Sequence, residues 1–170
     1  METPEFGITA QRPTPPTAKE KNVVQRAVNS LLDALAPERA TTRADRLPAT
    51  IEQHRTPTGC VLQAPTAAVS LSWFPDAAND SSLGELQVFV WQGVVSRRGA
   101  APRPDGARVT NEFVLRPVER PTDDCVWRAE DGTTYSVPSL AAHCMALLDE
   151  QMRSDDPAGT APRTTPRRRD

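Results

Sequence analysis

From Cys60 to Val137 one strand-like run follows another, and no helical pattern separates them. That order most constrains the fold. A doubly wound sheet needs strands alternating with helices, so the pattern points instead to a single antiparallel sheet. Six runs carry it: Cys60–Gln63, Val69–Phe74, Glu85–Ser96, Ala107–Val118, Cys125–Glu130 and Thr133–Val137. Alternation assigns their faces. Val69, Leu71 and Trp73 share one parity against Ser70 and Ser72. Leu86, Val88 and Val90 oppose Phe89, Trp91 and Val95. Turn residues punctuate the runs, and the clearest is Asp131-Gly132, a hairpin signal between two strand-like stretches. Pro102, Pro104 and Asp105-Gly106 mark a longer hairpin loop before Ala107.

Helices frame these strands. Val24, Ala27, Val28, Leu31, Leu32 and Leu35 recur at the helical period and make a one-sided stripe that Pro37 stops. At the other end, Ser136 is placed to cap a helix whose first turn holds Pro138, where the missing N–H costs nothing. Leu140, Cys144, Leu147 and Leu148 form its buried stripe, with Ala141, Met145 and Met152 at the edges. The stretch from Pro37 to Thr58 has three prolines and many charges, and reads as a long connection with one helical turn near Glu38–Ala44. The expected fold is α+β: an N-terminal helix, one mostly antiparallel sheet of about five or six strands, and a C-terminal helix, both helices on one sheet face. Residues 18–153 form the domain. Residues 1–17 and 154–170 hold too little apolar surface to offset backbone entropy and read as disordered tails, the second rich in Arg.

Chemistry has few footholds. No phosphate-binding glycine loop, nucleophile elbow or paired-cysteine metal motif occurs. Three cysteines, Cys60, Cys125 and Cys144, make neither a disulfide framework nor a ligand set, so a reducing cytoplasm and reduced thiols without catalytic duty are expected. Cys144 lies on an apolar stripe and reads as a small hydrophobe. Asp123-Asp124-Cys125 reads as an acidic turn rather than a metal site. No cofactor is implied. No apolar run approaches the roughly 18–20 residues of a membrane span. Twenty basic and 22 acidic residues leave a net charge of −2, which weighs against a nucleic-acid-binding domain.

Two features suggest contact surfaces. Arg97, Arg98, Arg103 and Arg108 cluster in and beside the Pro-rich hairpin loop, opposed by Asp105 alone. Guanidinium forks suit carboxylate and phosphate, and local sign reversal steers encounters. The second feature is aromatic: alternation permits Trp73, Phe89, Trp91, Phe113 and Trp127 to line one side of the sheet, if register allows. Glu85–Ser96 is apolar on both sides, so two helices on one face leave apolar surface for something else to cover. The leading reading is a non-catalytic, bacterial-type, cytoplasmic binding module. It would contact another protein, or a second copy, through the sheet face that carries Phe89 and Trp91 or through the Arg-rich loop. A second reading is a small-molecule pocket, enzymatic or not, lined by Trp73, Phe113, Trp127, Tyr135 and His143. A third is nucleic-acid contact through the Arg loop and the Arg167-Arg168-Arg169 tail.

Overall fold

A computed structural model describes residues 15–36, 51–75, 83–95, 106–120 and 124–154. Its elements run α1 (Ala18–Ala34), β1 (Glu52–Thr56), β2 (Gly59–Gln63), β3 (Ala67–Phe74), β4 (Glu85–Gln92), β5 (Arg108–Glu119), β6 (Cys125–Ala129), β7 (Thr134–Tyr135) and α2 (Val137–Ser154). The seven strands lie in sequence order, each antiparallel to the next. The α+β class and the flanking helices are as expected, and the strand count is higher by one. The added strand is β1, inside the stretch read as connection. Glu-Gln-His-Arg-Thr holds no apolar residue, so it shows no hydrophobic alternation. Pairing with β2 and ties to α1 hold it instead: Gln53 Nε2 donates to the Leu32 carbonyl (2.8 Å), and Arg55 pairs with Asp33 (2.9 Å). The helical turn expected near Glu38–Ala44 lies outside the described residues, as do residues 1–14 and 155–170.

Both helices begin where side chains satisfy free backbone N–H groups. Thr17 caps α1 in a reciprocal box: its hydroxyl accepts from the Glu20 N–H, and the Glu20 carboxylate accepts from the Thr17 N–H. Ser136 Oγ accepts from the Ser139 N–H (3.3 Å) at the start of α2. The β6–β7 hairpin turns through Glu130-Asp131-Gly132, one residue longer than the Asp-Gly signal implied. Gly132 sits at φ +86°, the left-handed position such a loop requires, and Asp131 Oδ1 accepts from the Thr133 N–H (2.8 Å). That backbone hydrogen bond holds the Asp131 carboxyl below its usual pKa.

One sheet face and the two helix stripes make the core. Val24, Val28, Leu31 and Leu32 of α1, its C-cap Leu35, and Leu140, Cys144 and Leu148 of α2 are buried against Leu62, Val69, Leu71, Leu86, Val88 and Leu115. Helix α2 packs on β3, β4, β6 and β7; α1 packs on α2, β5 and β6. Each such aliphatic side chain contributes about 1.5–3 kcal/mol by leaving water. Among the described residues no helix is long and apolar enough to cross a membrane.

Candidate functional site

Strand parity divides the aromatic residues. Leu86, Val88 and Val90 take the inward positions of β4 and pack in the core, so Phe89 and Trp91 project from the opposite face. Trp73, Phe113 and Trp127 lie on the helix-covered face. Alternation had permitted all five to share one side; the β3–β4 register places Trp73 opposite Leu86 and separates it from the Phe89–Trp91 pair.

On the opposite face, helix-free among the described residues, His54, Val61, Ser70, Phe89 and Glu112 form one row across β1 to β5. The next row is Glu52, Gln63, Ala68, Trp91 and Val109. The Phe89 and Trp91 rings are 6.0 Å apart, and Trp91 Nε1 donates to Ser70 Oγ (2.8 Å), which fixes the indole over the sheet. A β-bulge between Val90 and Trp91 shifts the β5 register by one residue. The shift sets Val109, 39% exposed, opposite Trp91. Val94 stands 62% exposed just beyond the end of β4. His54 Nε2 lies 3.3 Å from Glu52 Oε2 at the β1 edge.

Gln63 organises this end of the sheet. Its Nε2 donates to the Ala64 (2.6 Å) and Ala67 (3.0 Å) carbonyls, and its Oε1 accepts from the Val95 N–H (2.9 Å). The Gly93 N–H donates to the Thr66 carbonyl (2.6 Å). The chain entering the Arg-rich stretch is thereby anchored through residue 95. Arg97, Arg98 and Arg103 lie outside the described residues. Arg108 pairs with Gln92 (2.8 Å) at the far end of the β4–β5 ladder, out of phase with Trp91 and so on the helix side.

A lower row on the helix-free face was not picked out from the sequence: Phe74, Glu85, Arg116, Arg128 and Thr134, side by side from β3 to β7. Phe74 is 43% exposed. Arg116 donates to Glu85 Oε1 through both Nε (3.1 Å) and Nη2 (2.9 Å). The parity of Phe113 and Leu115 in the strand pattern contained half of this signal. The β5–β6 register that sets Arg116 opposite Arg128 did not follow from any residue pattern.

The residues read as a candidate pocket meet ring against ring in two groups. Trp73 and Trp127 meet edge to face at 5.7 Å. His143 stacks on Tyr135 at 5.1 Å and lies 5.8 Å from Phe113. Both indole Nε1 atoms are buried with no hydrogen-bond partner among the described residues. The thiols are set for packing. Burial pushes Cys60 up to about 11 and Cys144 up to about 12, so the nucleophilic thiolate is scarce at neutral pH. Cys125 is buried as well. Asp124 Oδ1 accepts from the Cys125 N–H (2.8 Å), and the Arg120 N–H donates to the Asp124 carbonyl (2.8 Å) just before β6; Asp123 of the expected acidic turn lies outside the described residues. Among the described residues no three His, Cys, Asp or Glu side chains converge as metal ligands. A thiol-reactive disulfide reagent at pH 8 should therefore label none of the three cysteines in the folded chain and all three after denaturation. Rapid native labelling of Cys144 would contradict its burial.

Compared with protein-family models, curated proteins and solved structures, the chain matches none.

Proposed function

We propose that the chain is a non-catalytic binding module, bacterial in type and cytoplasmic, that contacts another polypeptide through its helix-free sheet face. One observation carries the reading. Phe89 and Trp91 stand together, half-buried, beside exposed Val109, on a face where no described helix packs. Apolar surface gathered in one place is costly to leave in water and marks contact sites. Tryptophan anchors of this kind contribute a large share of interface energy. The hydrogen bond to Ser70 pre-orders the indole, so less side-chain freedom is lost on binding. Free, buried thiols suit a reducing compartment. The pocket reading has weaker support, because its five residues pack ring against ring in two groups, Trp73 with Trp127 and His143 with Tyr135 and Phe113.

The test compares the parent with Phe89→Ser/Trp91→Ser, each immobilised and exposed to extract of the source cells, with retained proteins quantified by mass spectrometry. The double variant should stay folded by circular dichroism, since neither side chain belongs to the core. It should lose partners that the parent holds, with affinity down by tenfold or more, about 1.4 kcal/mol or above. Equal retention by folded parent and variant would overturn the reading.

A further inference from the structure

We infer that the polypeptide this face takes is a second copy of the same chain, docked face to face about a two-fold axis that passes over Val114. The inference rests on the binding reading above and names its partner. Along β5 the helix-free face presents Glu112, Val114 and Arg116 in succession: acid, apolar, base. A two-fold axis lying between the faces and perpendicular to the strands sets each β5 antiparallel on the other. Glu112 of one copy then lies over Arg116 of the second, and symmetry repeats the pair. The row beneath the axis is Thr56, Gly59, Ser72, Gln87 and Val114, uncharged throughout and small at two of its five positions, so the sheets can approach. Aligned sheets pack in this way at roughly 10 Å separation.

The charges of this face favour this occupant. Arg116 and Arg128 sit directly opposite each other on adjacent strands. Like charges so placed destabilise a sheet, and among the described residues Glu85, bonded to Arg116, is the one carboxylate ion-paired with either. Glu112 is exposed and has no ion-pair partner among the described residues. A second copy brings one carboxylate to each guanidinium pair. It also brings its exposed Phe74 over the Ser70 position, beside Phe89.

Sedimentation of the full chain over micromolar to submillimolar concentrations tests the inference. The parent should dimerise. Glu112→Arg and Arg116→Glu should each weaken the dimer about tenfold or more, because each homodimer then sets like charges together twice. An equimolar mixture of the two variants should recover the dimer, since every reversed charge meets its opposite. Circular dichroism monitors the fold, and Glu85→Arg/Arg116→Glu, which keeps the Glu85–Arg116 bond with its charges exchanged, replaces Arg116→Glu if loss of that bond unfolds the chain. A parent that stays monomeric, variants that dimerise like the parent, or a mixture that fails to recover would each overturn the inference. A monomeric parent with Trp91-dependent capture of another protein would overturn the dimer alone and leave the binding reading standing.

Discussion

Leu31→Asp should leave no cooperatively folded chain at 25 °C. Leu31 is 0% exposed in the middle of the α1 stripe, between α2 and the covered sheet face. No basic side chain belongs to the core cluster around it, so an aspartate there finds no partner. It must then stay ionised among aliphatic groups or take up a proton, and either course costs several kcal/mol. The same change removes the ~2–5 kcal/mol that truncating a buried leucine forfeits. A domain of this size has about 5–15 kcal/mol in total. Loss of the far-ultraviolet signal change on urea addition is the readout. Leu31→Ala should remain folded, with a midpoint lower by an amount in that leucine range. A folded Leu31→Asp chain would mean that α1 does not pack where its stripe places it.

That stripe was legible because a helix on a sheet leaves a period in the sequence. Inward parity on β3 and β4 was legible for the same reason, and it already opposed Leu86, Val88 and Val90 to Phe89 and Trp91. What could not be read was pairing between strands. Edge strand β1 is held by polar contacts, Gln53 to Leu32 and Arg55 to Asp33, which leave no hydrophobic pattern. The bulge at Val90–Trp91 depends on how β4 meets β5, and so does the placing of Val109 beside Trp91. Arg116 and Arg128 are twelve positions apart in a chain rich in arginine, and only register makes them neighbours. The aromatic half of the candidate site thus followed from local alternation, whereas its charged half required long-range pairing.

Register also underlies the second large effect. Gly59→Ala should destabilise the domain by roughly 3 kcal/mol or more, the upper end for overpacking, because its neighbours are backbone and cannot rotate away. Gly59 opens β2 opposite Ser72, and a Cβ there would lie 1.9 Å from the Leu71 carbonyl oxygen and 2.9 Å from its carbon. Relief requires β2 to part from β3 where the Trp73 N–H donates to the Thr58 carbonyl (2.7 Å). Gly132→Ala is the control. Gly132 has φ +86° and nothing within 4 Å of where a Cβ would stand, so its cost is conformational alone, ~1–2 kcal/mol. Denaturation midpoints should fall further for Gly59→Ala, and amide exchange should quicken from β1 to β2 rather than at the β6–β7 hairpin. Equal losses would show that Leu71 stands farther from Gly59 than the sheet places it. The same bare position lies in the row beneath the inferred two-fold axis. A Gly59→Ala chain that still folds in a stabilising osmolyte should therefore also dimerise more weakly, since parting β2 from β3 distorts the row that faces the second copy.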